Sequence, residues 1–279
     1  MSLKRGRYHK IEKKEVKMKR ILFLAILLLG AVILFSCSKK STSPDKGSIA
    51  IYLTDAPASI DSVNIVVTQV SVHMAGNDSL SGWQTISDTT AYYDLLTLQN
   101  GANVLFANQQ LPAGQYTQIR LIIGNGSNVV VDGITYPLTI PSGMQTGIKL
   151  NHEFTILKGE VYQLLLDFDA EKSIIQTGTG QYKLKPVIRT VPMLLSGDIK
   201  GVVIPHAVSI LTTSGSDTIS VTQADTSTGF FKIVGLLAGS YDLKFTPESV
   251  SYADSTIYNV NVTAGQTTDL DTIALRQLP

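Results

Sequence analysis

An all-β fold of two consecutive β-sandwich domains is what this sequence predicts, and three observations carry the prediction. Short segments rich in Val, Ile, Leu, Thr and Tyr recur, namely Ser48 to Leu53, Val63 to Met74, Tyr116 to Ile123, Ile148 to Leu157 and Val161 to Phe168. Beyond residue 36 no segment of helical length sustains an apolar period of 3.6. Gly124-Asn125-Gly126, Asp132-Gly133 and Pro141-Ser142-Gly143 stand between such segments and supply the positive or fixed φ that chain reversals need.

Taken in chain order, the first element is a leader. Basic Met18-Lys19-Arg20 precedes an apolar run of 16 residues, Ile21 to Ser36, and Cys37, the only cysteine, closes it. A charged start, an apolar stretch and a small residue before the end are the parts of a secretory signal peptide, and 16 residues fall short of the roughly 20 that span a bilayer as a helix. Leu34-Phe35-Ser36-Cys37 resembles the bacterial lipobox, with Phe35 larger than that pattern prefers. The resemblance implies a signal peptide over 1–36, lipidation of Cys37 as the mature N-terminus, and anchorage to the bacterial cell envelope. Ser38 lacks acidic character, which favours the outer membrane. The long basic lead of residues 1–17 makes Met18 an alternative translation start.

Loss of the leader also changes the charge. Nine of the 23 Lys and Arg but two of the 22 Asp and Glu precede Cys37, leaving 14 basic against 20 acidic residues, a net of −6. That balance excludes nucleic acid as the expected partner, since phosphate binding needs clustered Lys and Arg. With the single thiol acylated, no disulfide, cysteine nucleophile or cysteine metal site remains.

Residues 37–46 are polar, contain Pro44 and have no apolar period, which reads as a tether. The first sandwich is expected over 47–194 and the second over 195–279, where about seven short strands follow Gly197. Strict alternation from Val63 would place Val63, Ile65, Val67 and Gln69 on one face and Asn64, Val66, Thr68 and Val70 on the other. Apolar residues on both faces suggest a central strand covered on each side. A short helical turn is expected near Asp94 to Asn100.

Two resemblances concern the domains. In the second, Gly197-Asp198-Ile199-Lys200-Gly201, Thr228-Gly229-Phe230-Phe231, Leu236-Leu237-Ala238-Gly239-Ser240-Tyr241 and Val260 to Thr268 resemble the carboxypeptidase regulatory-like domain. That family implies an immunoglobulin- or prealbumin-like sandwich related to carbohydrate-binding-like folds, with Gly239 and Gly265 expected to serve turns. In the first, Gly47 to Pro57, Asp94 to Gly101, Leu111 to Arg120, Asp167 to Ala170 and Leu184 to Val187 resemble the DUF4382 family of bacterial lipoprotein domains, which implies no activity. Leu111-Pro112-Ala113-Gly114-Gln115-Tyr116 also parallels Leu236 to Tyr241. The parallel reads either as two variants of one sandwich or as convergent hairpin chemistry.

Candidate chemistry is sparse. His73, His152 and His206 remain after the leader, without metal-ligand spacing. In Asn151-His152-Glu153 a strand would turn His152 and Glu153 to opposite faces, so His152 reads as a solvated strand residue and not as part of a triad. Asp167 and Asp169, two apart on a strand, share one face and with Asp55 could supply oxygens to calcium; capping of a turn at 170–173 is the alternative. No other cofactor is expected. Trp83, Tyr92 and Tyr93 could stack on sugar rings if exposed, with at most one of the adjacent tyrosines on any one face. The expected function is therefore non-enzymatic: an envelope lipoprotein that binds polysaccharide or glycan, or else a structural or accessory protein engaging envelope proteins through its sandwich surfaces.

Overall fold

The computed structural model describes residues 45–56, 58, 60–78, 80–141 and 146–279. The predicted signal peptide, Cys37, most of the tether and residues 142–143 of the third predicted turn lie outside the described residues. From residue 45 onward the described residues belong to one compact unit. It is nearly all β, with two hydrophobic cores.

The first core lies between two sheets. One runs in the order β13 (Ile188–Pro192), β10 (Val161–Asp169), β1 (Lys46–Ala56), β5 (Val104–Pro112), with β1 parallel to β10 and antiparallel to β5. The other is built on β2 (Ser62–Met74), β6 (Gly114–Ile123) and β9 (Ile148–Ile156). β3 (Trp83–Ser87), β4 (Ala91–Asp94) and β7 (Asn128–Val131) also pair with β2, and β8 (Ile134–Thr139), β12 (Tyr182–Leu184) and β11 (Ile174–Gln176) extend the sheet beyond β7. Asp132 and Gly133, both at positive φ, make the predicted two-residue hairpin between β7 and β8. The predicted helical turn is a 3-10 turn, Leu95–Leu98, started by Asp94, whose carboxylate accepts from Leu96 N–H.

Strict alternation does not survive along β2. Val63, Ile65 and Val67 face the core, and then Val70 and Val72 do, because the register against β6 shifts between Val67 and Gln69. A bulge at this point resets the pleat, so Val70 sits with Val63 and not opposite to it.

The second core lies between a sheet ordered β17 (Phe230–Leu237), β14 (Ser196–Ile204), β20 (Thr267–Ala274) and one ordered β16 (Asp217–Gln223), β15 (Val208–Ser214), β18 (Gly239–Pro247), β19 (Ser255–Val262). These seven strands repeat seven of the first sandwich. β14 is parallel to β20 and antiparallel to β17, as β1 is to β10 and β5. β15 pairs with β16 and β18, and β18 with β19, as β2 pairs with β3 and β6, and β6 with β9.

The repetition reaches single atoms. Tyr116 Oη donates to Pro112 O at 2.9 Å and Tyr241 Oη to Leu237 O at 2.7 Å, so each buried tyrosine fastens the turn four residues before it. Ala113 N–H donates to Asp45 O and Ala238 N–H to Leu195 O in the same turns. Gly47 and Gly197 occupy equivalent strand starts, where a Cβ would collide with the carbonyl oxygens of Leu157 and Thr263 respectively. The Ala-Gly-x-Tyr parallel in the sequence thus marks one frame used twice. Gly265 is at φ 72°, as its turn requires, whereas Gly239 adopts no positive φ and its expected conformational role is not used.

Tyr116→Phe and Tyr241→Phe are each expected to cost about 1 kcal/mol, the net worth of one hydrogen bond with its acceptor left dry. The two losses should add in the double variant, read by urea unfolding, because the tyrosines sit in separate cores.

Candidate functional site

The acidic candidates lie where β1 and β10 end. Thr54 pairs with Asp167 in the parallel register, so alternation turns Asp55 to the opposite side of the sheet from Asp167 and Asp169. Asp55 continues the core-facing row Ile49, Ile51, Leu53 and is 5% exposed. Its Oδ1 accepts from Ala170 N–H at 3.0 Å. Burial pushes its carboxyl up to about 8 against the pull of that hydrogen bond, and the nearby Asp167 and Asp169 push the same way.

Asp169 starts a helical turn, α1 (Ala170–Ser173). Its Oδ1 accepts from Lys172 N–H and its Oδ2 pairs with Lys172 Nζ at 2.7 Å. Asp167 is occupied by Arg189, its cross-strand neighbour, whose Nε and Nη2 donate to Oδ2 at 3.1 and 2.6 Å. Burial raises the Asp167 carboxyl, and the guanidinium opposes that rise. Among the described residues no three His, Cys, Asp or Glu side chains gather as metal ligands. The alternative reading, a capped turn at 170–173, is what Asp169 does.

Arg189 does more than neutralise Asp167. Its Nη1 donates to Gly235 O at 2.6 Å and its Nη2 to Val234 O at 3.3 Å, so one side chain joins the outer face of the first sandwich to β17 of the second. β17 is an edge strand with free backbone groups on that side. Further along it, Asn100, at φ 55°, accepts from Lys232 N–H at 3.1 Å and donates to Phe230 O at 3.4 Å, which makes its carboxamide a substitute strand partner. Gly235, at φ 66°, lies against Leu165, where a Cβ would approach Leu165 Cδ2 to 2.9 Å. Lys232 pairs with Asp198 at 2.9 Å. A cavity of about 10 Å³, room for about one water, remains at the seam beside Thr54, Asn100, Thr222 and Lys232. No sequence motif points to Arg189, whose partners lie 22, 45 and 46 residues away.

The aromatic candidates do not form a row. Trp83 and Tyr92 lie on the outer face of the large sheet, opposite His73 and Val66 of β2, about 20 Å apart along that strand. The Arg120 guanidinium covers the Trp83 ring at 4.2 Å from its centroid, Lys149 Nζ lies at 5.8 Å, and the His73 ring meets it edge-on. Tyr92 is 74% exposed. Tyr93 points the other way and packs on Phe106 in the core.

His73 and His152 are bonded side chains. His73 is buried between Thr117 Oγ1 and the Asp78 carbonyl. His152 is not solvated as expected: it is half-buried, bonded to Tyr162 Oη at 2.9 Å and Thr190 Oγ1 at 3.1 Å, and stacked on Phe154. It thereby bridges the two sheets of the first sandwich, and burial lowers its pKa. A polar groove of about 310 Å³ also opens over β6 and β9, lined by Gln115, Thr117, Glu153 and Thr155 among others.

Fold and seam together define a protein of two like β-sandwiches, docked through the edge strand of one and the sheet face of the other. The family described as Domain of unknown function (DUF4382) matches residues 46–186, half of the chain, and the chain belongs to that family. No curated protein matches it. Solved structures similar to it include the Bacillus anthracis TIE protein, at 12% identity over 83% of this chain and 34% of that one, with a TM-score of 0.23. The chain thus spans about a third of that protein's length. GBS52, the minor pilin of Streptococcus agalactiae, is similar at 12% identity over 82% and 96% of the respective chains, with a TM-score of 0.25. Shaft pilin spaA of Lactobacillus rhamnosus GG is similar at 8% identity over 84% and 99%, with a TM-score of 0.24.

Two outcomes test this geometry. A raised Asp55 stabilises the fold while protonated, so its contribution is full below the ordinary aspartate range and is lost as pH rises through about 8. Asp55→Asn should therefore flatten the fall in melting temperature between about pH 4 and 8 and leave the protein more stable than wild type at the upper end. Arg189→Ala strands Asp167 in a buried site and frees two carbonyls, and is expected to cost about 3–5 kcal/mol in urea unfolding. Combining Arg189→Met with Asp167→Leu should recover much of that loss.

Proposed function

We propose that this chain is a non-enzymatic accessory protein of the bacterial cell envelope, anchored to the outer membrane by lipid on Cys37, that presents its two docked sandwiches to protein partners. The observation that carries the reading is the seam: Arg189 joins Asp167 to the carbonyls of Val234 and Gly235, which docks the two sandwiches on one another. A fixed pair of sandwiches offers partners a surface of constant shape. The titratable groups of unusual environment, Asp55, Asp167 and His152, are engaged by backbone, guanidinium and hydroxyl partners, which supports a structural role for them over a catalytic one. The resemblances to the lipobox and to the carboxypeptidase regulatory-like domain support the anchor and a non-catalytic second sandwich.

A second reading, recognition of a polysaccharide or glycan, is favoured by the polar groove over β6 and β9 and by exposed Tyr92. Against sugar stacking on Trp83 stands the guanidinium over its ring.

Full-length protein and its Cys37→Ser variant, made in a bacterial host, should differ: acylated and membrane-bound in the first case, unacylated and released in the second. In-cell cross-linking of the acylated protein should then recover a defined envelope protein, while glycan arrays and insoluble polysaccharides retain wild type no better than Tyr92→Ala or Glu153→Ala. Retention abolished by those substitutions would replace the accessory reading with the glycan reading.

A further inference from the structure

The twice-used frame and the seam give the molecule a distinctive end. β1 and β14 both start there, and β17 runs toward it from Phe230, beside Asn100, to Gly235, beside Leu165. The β5–β6 and β9–β10 turns gather at this end around Asp45 and Lys46, through Ala113 N–H on Asp45 O and Gly159 N–H on Lys46 O. The β17–β18 and β19–β20 turns gather likewise around Leu195 and Ser196, through Ala238 N–H on Leu195 O and Gly265 N–H on Ser196 O. The β2–β3 loop joins them through Ala75 N–H on Gln115 O.

This end carries exposed aliphatic side chains on four separate segments. They are Leu80 of the β2–β3 loop, 93% exposed, Leu157 and Val161 flanking the β9–β10 turn, Leu194, 84% exposed, and Leu195 of the 3-10 turn Met193–Leu195, and Leu237 at the close of β17. All six are at least half exposed. Of the charges at this end, Lys158 pairs with Asp45 at 2.7 Å, while Lys46, Asp78 and Glu160 are exposed beside the aliphatic tips.

The N-terminal segment leaves from this same end. Cys37 lies eight residues before Asp45, a span of at most about 29 Å even when fully extended. We propose that this end is a bilayer-contacting face whose loop-tip aliphatic residues enter the membrane interface beside the acyl chains of Cys37. The inference rests on the lipid-anchor reading and adds to it an orientation: both sandwiches stand on their equivalent ends, with Val250 and the β18–β19 loop directed away. Apolar side chains in the interface supplement acyl chains as a further membrane signal.

The test uses full-length acylated protein in phosphatidylethanolamine–phosphatidylcholine vesicles, with Trp83→Phe to remove the native fluorophore and either Leu194→Trp or Val250→Trp as probe. Both probe sites are exposed, so folding should be unaffected, which circular dichroism checks. Acyl-chain-brominated phosphatidylcholine should quench the probe at 194 at least twofold more than the probe at 250. Equal quenching of the two probes, in protein whose mass includes the acyl chains, would overturn the orientation and leave the anchor standing. A mass without acyl chains would overturn the anchor and the inference with it. A probe at 194 shielded from aqueous quencher in vesicles without bromine quenching would assign this end to a protein partner or a second copy, and also overturn the inference.

Discussion

The Asp167–Arg189 pair is the contact on which the arrangement of this molecule depends. Two charges taken from water cost several kcal/mol, and their mutual attraction repays that cost only where the remaining donors are also satisfied. Arg189 meets the condition by spending its other N–H groups on the carbonyls of Val234 and Gly235. Those carbonyls belong to an edge strand, whose open backbone groups would otherwise invite pairing with another chain. The second sandwich thereby loses a liability and the first gains a partner for a buried charge. Asn100 repeats the device further along the strand with a neutral carboxamide.

A frame used twice gives the rest of the architecture its order. Each copy fastens its β-turn with a tyrosine hydroxyl and starts its first strand at a glycine pressed against a carbonyl. The first copy carries the additions: β13 on the edge of β10, and β4, β7, β8, β11 and β12 on or beyond β2. β13 supplies Arg189, so an addition to one copy of the frame holds the other copy against it. With β14 setting out from the end at which β1 begins, the β5–β6 and β9–β10 turns of one sandwich and the β17–β18 and β19–β20 turns of the other gather at the N-terminal end.

Much of this was legible in the sequence. The strands expected at Ser48 to Leu53, Val63 to Met74, Tyr116 to Ile123 and Val161 to Phe168 fall inside β1, β2, β6 and β10, because half-buried β-branched runs between turn residues have few alternatives. The bulge in β2 was not legible: Thr68 and Gln69 carry no local mark of it, and it becomes visible only through the shift against β6. Trp83 was open to reading as a core or as a sugar-stacking residue, since its cover, Arg120, sits on a strand 37 residues away. Alternation was enough to put Asp167 and Asp169 on one face, but the place of Asp55 was not legible: a parallel register matching Thr54 to Asp167 turns it to the other face, and that register is set by tertiary packing. The solvated reading of His152 failed for a related reason, since its partners Tyr162 and Thr190 come from the opposite sheet.

Backbone ¹⁵N relaxation on the protein bears most directly on the claim that two sandwiches form one body through the seam. If Arg189 and Asn100 hold them as described, amides of β6 and of β18 report the same rotational correlation time, appropriate to the whole pair. Two distinct and shorter correlation times, one for each sandwich, would mean that the seam opens in solution and would contradict the account.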